Sequence, residues 1–299
     1  MPLPTLTVVK ERKLAELIAP PKGSSVLEAS GVFAKGDHFY VIFDNIRRVA
    51  RIDRSLAPGH GLHRWFGTRR EGEGYEDIAY SPELKRFYLL IEAEKHHDGT
   101  FKPLIDECDE QGRVRGRRWV NIAFQKRNTG LEGLAAIRWK GKDYLLALCE
   151  GNRCRAGRAG RTGGGGRIHV LVRKGGHWES VARIKLPGSV DFEDYSAVAL
   201  RGDRIAVVSQ MTSRLWLGRL RRDTWTIAGR GRIYDLPRSK KGKIRYCTVE
   251  GLCWLSNTTF VAVSDLVKRY HANRCRKKDQ SIHIFALPGR GRPTRLPRT

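Results

Sequence analysis

Five times along this chain a short polar signature opens an apolar run, and 14 to 18 residues later a second polar residue closes the next one. The openers are Ser30 in Glu28-Ala29-Ser30-Gly31-Val32, Glu76 in Tyr75-Glu76-Asp77-Ile78, Glu132 in Leu131-Glu132-Gly133-Leu134, Ser196 in Tyr195-Ser196-Ala197-Val198, and Glu250 in Val249-Glu250-Gly251-Leu252. The closers are Asp44, Glu92, Glu150, Gln210 and Asp265. Successive openers lie 46, 56, 64 and 54 residues apart, longer than short helical repeats and suited to four-stranded propeller blades.

Short β-type runs separated by Gly, Asp, Asn and charged residues fill each repeat, with no amphipathic helix of convincing length. The first repeat predicts strands at 31–34, 39–43 and 49–52. The third predicts them at 134–139, 144–149, 167–172 and 178–186, and the fourth at 197–200, 205–208, 215–220 and 225–236. The fifth offers only three strands, the last at 282–287. Apolar runs at 6–9 and 14–18 stand before the first opener as fourth strands stand before the others. The expected fold is therefore all-β: a single β-propeller of five four-stranded blades over residues 1–290. An N-terminal strand completes the last blade and hides a sheet edge, and 291–299 form a basic tail. A six-bladed ring lacks its sixth repeat, and an open sandwich is the remaining alternative.

No stretch approaches the roughly 18 apolar residues of a membrane span. The N-terminus shows no basic segment followed by an apolar core, so the expectation is a cytoplasmic protein, with an extracytoplasmic one if the chain is a processed form. Six cysteines, at 108, 149, 154, 247, 253 and 275, are too few for a disulfide scaffold, and none has the two-residue spacing of a zinc knuckle. Reduced thiols are expected, Cys149 and Cys253 in the core, with Cys154 and Cys275 in Arg-rich loops where a thiol could pair or react.

The formal charge is +26. Such a balance attracts nucleic acid, anionic lipid or phosphorylated substrates. The competing explanation is general arginine-rich usage, because Lys and Arg are spread over nearly every loop. The tail residues Arg290, Arg292, Arg295 and Arg298 add to the case for a polyanion platform.

In an antiparallel blade the start of the first strand and the end of the second share one face, so openers and closers converge on one channel mouth. Seven of the ten are carboxylates: Asp44, Glu76, Glu92, Glu132, Glu150, Glu250 and Asp265. Crowding them raises pKa values unless cations intervene. A hard cation such as calcium, held by Asp44, Glu76, Glu132 and Glu250, is one expected outcome, and acid–base chemistry by Glu132, Glu150 and Asp265 is the other. An acidic residue opening an inner strand can also simply cap backbone amides between blades. Loops 151–166 and 266–280 open on the same face, and Arg153, Arg155, Arg158, Lys268 and Arg274 are candidates to grip an anionic small molecule or phosphoester there. Paired carboxylates in a channel leave a glycoside hydrolase as a third reading. His96 and His97 are expected on opposite faces of an extended chain, and His60 and His63 in a turn. Gly-x-Ser-x-Gly, His-Glu-x-x-His and P-loop patterns are all missing from the sequence, which disfavours those chemistries.

The segments Leu131-Glu132-Gly133-Leu134-Ala135, Val249-Glu250-Gly251-Leu252-Cys253 followed by Val263-Ser264-Asp265, and Ala29-Ser30-Gly31-Val32 followed by Val41-Ile42-Phe43-Asp44-Asn45 resemble bacterial β-propellers of the esterase-like phytase group. Related propellers of unknown function share the Glu-Gly-Leu openings. The resemblance spans nearly the whole chain and implies metal-dependent phosphoester hydrolysis, with Glu132, Glu250, Asp44 and Asp265 at the recurring positions. The chain departs from the pattern at Ser30, Ser196 and Gln210. Those departures are expected to break the acidic ring on one side and leave the carboxylates of repeats two, three and five beside the basic loops.

Overall fold

The computed structural model describes residues 2–59, 61–67, 74–127, 130–269 and 271–289. Strand β1 (Thr7–Lys13) leads into four blades that each use four consecutive strands. Blade one holds β2 (Ala29–Lys35), β3 (His38–Phe43), β4 (Val49–Asp53) and β5 (Arg64–Phe66). Blade two holds β6 (Ile78–Ser81), β7 (Arg86–Lys95), β8 (Phe101–Cys108) and β9 (Val114–Trp119). Blade three holds β10 (Leu131–Trp139), β11 (Lys142–Cys149), β12 (Arg167–Lys174) and β13 (His177–Lys185). Blade four holds β14 (Ala197–Arg201), β15 (Arg204–Ser209), β16 (Arg214–Arg221) and β17 (Thr226–Asp235). In blade five β18 (Val249–Trp254), β19 (Thr259–Ser264) and β20 (Ser281–Ala286) are completed by β1, which pairs antiparallel with β20. The result is the expected five-bladed all-β propeller. Residues 14–16 depart from the strand-like reading of 14–18 and form a 3-10 turn, with Leu14, Leu17 and Ile18 buried. His60 and the tail 290–299 lie outside the described residues. No helix among the described residues is long and apolar enough to cross a membrane.

Each blade is packed on both faces, so its central strands read as continuous apolar runs. In β3, Phe39, Val41 and Phe43 join Val261, Val263, Ile282 and Ile284 of blade five. The alternate residues Tyr40 and Ile42 join Ile78, Phe87 and Leu89 of blade two. Three innermost strands carry a β-bulge at the opener: the register slips between Ala29 and Gly31, between Leu131 and Gly133, and between Val249 and Gly251. A bulge adds one residue against the partner strand and re-aims its side chain. The following glycine is where inner strands meet backbone to backbone. A Cβ on Gly251 would stand 2.7 Å from the Gly31 Cα, and one on Gly133 would stand 2.8 Å from the Val198 nitrogen. Below this collar the channel is apolar, a cavity of about 220 Å³ lined in part by Phe33, Ile78, Leu134, Val198 and Leu252, one from each blade.

Ring closure rests on a polar row across β1, β20 and β19. Glu11 accepts hydrogen bonds from Tyr246 Oη at 2.9 Å, from His283 Nδ1 at 3.3 Å and from the Lys278 ammonium, while His283 Nε2 faces Ser264 Oγ at 2.9 Å. The row has the order of a serine–histidine–carboxylate relay. His283 and Ser264 are fully buried, so no substrate reaches them, and the row acts as a clasp.

The cysteines correct the expectation of reduced thiols. Cys149 ends β11 and Cys154 lies in a 3-10 turn that doubles back on it, giving a Cα–Cα distance of 5.2 Å and a disulfide. Cys247, just before β18, pairs with Cys275 of the folded-back loop 266–280 at a Cα–Cα distance of 5.7 Å. Cys108 and Cys253 are buried and stand outside both disulfides. Sequence spacing could not show that both long loops fold back onto their own blades.

Replacing Glu11 with Ala should lower the unfolding free energy measured by urea denaturation by about 1–3 kcal/mol, for the buried donors left without an acceptor. The hydrogen bond from His283, with those from Lys278 and Tyr246, holds the Glu11 carboxyl down at about 2 from an ordinary 4.5. A depressed carboxyl stabilises fully above its unfolded value and loses that contribution as pH falls through the folded one. The gap between Glu11→Ala and wild type should therefore narrow as pH drops from 4.5 toward 2.

Candidate functional site

The bulges and the strand ends bring the sequence-predicted carboxylates together. Glu76, Glu132 and Glu250, from three different blades, are half-buried, and Glu132 feels both Glu76 and Glu250 while Glu250 feels Glu76. Glu132 also feels Glu150 and Glu92; Glu250 feels Asp265 and Asp44. Such mutual influence requires that the side chains converge on one mouth. Burial is the leading cause of the raised pKa of every member, and neighbouring negative charge adds to it for Glu76, Glu132 and Glu250. Asp44 is pushed up to about 8 by burial, Asp265 and Glu28. Asp265 rises to about 7, mainly through burial, against the hydrogen bond it accepts from the Leu266 amide. Burial also raises Glu150, which Arg161 and Lys268 pull back down.

Two of the three most informative residues missed by sequence reasoning supply carboxylates where the motif has hydroxyls. Glu28, two positions before Ser30, places a carboxylate oxygen within 4.8 Å of oxygens on Asp44 and Asp265. Asp194, two positions before Ser196, is buried, accepts from Ser209 Oγ and the Met211 amide, and is pushed up to about 6 by burial. The acidic ring is thus continued at blades one and four, which corrects the expected gap beside Ser30, Ser196 and Gln210. The two serines tie blades together: Ser30 Oγ donates to the Tyr75 carbonyl, and Ser196 Oγ donates to the Val249 carbonyl at 2.9 Å. Asp77 is the third. It occupies the glycine position of blade two and accepts from the Leu134 amide of blade three at 2.6 Å and from the Ile78 amide at 2.7 Å. The spacing of two residues before each opener was the available signal for Glu28 and Asp194.

Of the basic side chains, Lys268 bears on Asp44, Glu150, Glu250 and Asp265 together, and Arg161 bears on Glu150. Arg153 instead stands near Arg167, and Arg274 donates to the Ile244 carbonyl at 2.6 Å. Arg155 and Arg158 are solvent-exposed. Loop 151–166 is pinned by the fully buried Asn152. Its Nδ2 donates to the Gly160 and Phe192 carbonyls at 2.8 and 3.0 Å, and its Oδ1 accepts from the Gly165 amide and Tyr195 Oη at 2.7 and 2.8 Å. His96 and His97 sit in the turn after β7, where strand alternation no longer holds, and their rings lie 3.8 Å apart instead of on opposite faces. His63 is a packed residue, with Nδ1 accepting from the Asp53 amide at 3.1 Å.

No family model matches the chain, and no curated protein matches it in sequence. Among solved structures it is similar to the glutaminyl cyclase of Myxococcus xanthus, at 12% identity over 96% of this chain and 98% of that one, with a TM-score of 0.50. It is also similar to a luciferin-regenerating enzyme, at 11% identity over 94% and 96% of the two chains, with a TM-score of 0.50. These likenesses bear on the fold.

With divalent cations chelated, stability should fall as pH rises. Carboxyls with raised folded pKa values contribute stability that is complete below their unfolded values and is lost as pH passes the folded ones, about 7 for Asp265 and about 8 for Asp44. Melting temperatures in EDTA across this range measure the slope. Glu132→Gln, which removes a buried charge at constant volume, should melt higher than wild type at the alkaline end, and a lower melting point would show that the ionised carboxylate is needed for folding.

Proposed function

We propose that the acidic mouth binds a hard divalent cation, with calcium the best match, and hydrolyses an anionic ester, a phosphoester foremost. The observation that carries this reading is Asp44 Oδ1, a buried oxygen with no hydrogen-bond partner, in a group of three carboxylates whose oxygens lie within 4.8 Å of one another. An orphaned carboxylate oxygen in an all-oxygen donor set fits calcium or magnesium better than zinc. Glu28, Asp44 and Asp265 would hold the ion, with Glu76 and Glu250 beside them in the same mouth. A bound cation of this kind polarises an ester oxygen and acidifies water.

The chain's own residues divide the remaining work. Lys268 and Arg161, which both bear on Glu150, would hold the anionic oxygens of an ester, and the net charge of +26 favours approach of such a substrate. Glu132, whose pKa burial and its acidic neighbours raise well above the ordinary value, keeps its proton and serves as general acid. Glu150 is raised by burial but opposed by Arg161 and Lys268, so it ionises more readily and serves as general base. Two carboxyls with pKa values driven apart are the arrangement acid–base catalysis needs. The resemblance to the esterase-like phytase group supports the same substrate class.

Calorimetric titration of the chelated protein with calcium should show binding that Asp44→Asn weakens by roughly tenfold or more. In calcium, turnover of p-nitrophenyl phosphate or another phosphomonoester should drop by about 10²–10⁴-fold in Glu132→Gln. No calcium uptake together with no turnover across a phosphoester panel would refute the proposal.

A further inference from the structure

The disulfide between Cys149 and Cys154 lies against a histidine arranged as a metal ligand is arranged. Cys154 Sγ is 3.5 Å from His169 Nε2, and the two sulfurs and the imidazole nitrogen all lie within 4.8 Å of one another. Ligand atoms around a tetrahedral zinc stand roughly 3.5–3.8 Å apart, so only the sulfurs need to separate. The tautomer suits the role. Ser180 Oγ lies 2.8 Å from His169 Nδ1 and itself donates to the Ala182 carbonyl at 3.4 Å, so it accepts from Nδ1–H and leaves the Nε2 lone pair facing the sulfurs. An oxygen acceptor on the far nitrogen is the usual support of a metal-bound histidine. Burial and Arg183 also lower the His169 pKa to about 4, which keeps the ring neutral.

We propose that Cys149, Cys154 and His169 form a zinc site that is interchangeable with the disulfide. A dithiol reductant transfers two electrons and two protons to the S–S bond, giving two thiols and its own disulfide. The zinc ion then displaces both thiol protons and takes two thiolates and one imidazole, with water in the fourth position. Two thiolate charges balance the ion, and Arg183, opposite His169 across β12 and β13, favours the thiolate form. The loop has reason to keep its shape without the S–S bond. Asn152 anchors it through four hydrogen bonds, and the Arg153 amide donates to the Gly165 carbonyl at 2.7 Å. Because Glu150 sits inside the five-residue span from Cys149 to Cys154, the exchange acts next to the acidic mouth while using a donor set of its own.

The test is titration of the full chain with cobalt(II) before and after reduction by a phosphine, under anaerobic conditions with folding followed by circular dichroism. The thiolate-to-cobalt charge-transfer band reports sulfur ligation alone, so binding at the carboxylates cannot mimic it. Reduced wild type should take up one cobalt per chain with this band, zinc should displace it, and the oxidised protein should show none. Cys154→Ser should abolish the band, and His169→Gln should weaken binding by roughly tenfold or more. The proposal is overturned if reduced wild type shows no band or loses its fold. It is equally overturned if Cys154→Ser keeps the band, which would put the metal on the Cys247–Cys275 pair, or if His169→Gln binds as tightly as wild type.

Discussion

The close approach of the inner strands is the constraint from which both the fold and the site follow. Five strands can surround a narrow channel only where their backbones nearly touch, and glycine at 31, 133 and 251 permits that contact. The bulge before each glycine displaces one residue from the ladder, and that residue is the opener. What the opener does then depends on its length. The Ser30 hydroxyl reaches only the carbonyl of the next blade and stitches the ring, as the Ser196 hydroxyl does in blade four without a bulge. The longer glutamates at 132 and 250 pass that carbonyl and enter the mouth. One backbone device therefore yields a structural contact or an ionisable group according to side-chain reach.

The same constraint explains which parts of the molecule were legible in the sequence. Buried central strands give apolar runs, turns give glycine and charge, and a Ser or Glu opener marks each innermost strand, so five blades and N-terminal closure could be read directly. Convergence of Glu76, Glu132, Glu150, Glu250, Asp44 and Asp265 followed from antiparallel geometry. The direction of long side chains in loops did not. Arg153, Arg155, Arg158 and Arg274 share a composition with Arg161 and Lys268, yet only the last two bear on the carboxylates, because a loop's path is set by anchors such as Asn152 and the disulfides. Glu28 and Asp194 escaped notice because they precede the motif.

The carboxylate mouth is an electrostatic exception within a chain of charge +26. Elsewhere, two buried acids meet cations: Asp106 takes a bidentate pair from Arg117 at 2.7 and 2.9 Å, and Glu107 lies near Arg86 and Arg118. At the mouth the half-buried glutamates bear on one another, and Lys268 and Arg161 offset only part of the charge. A chain so rich in Arg and Lys could neutralise these positions by a single substitution in any inner strand. Seven carboxylates kept together at such a cost in desolvation support the proposed cation more than they serve the architecture, since at blades one and four the opener that ties the ring to the next blade is a serine.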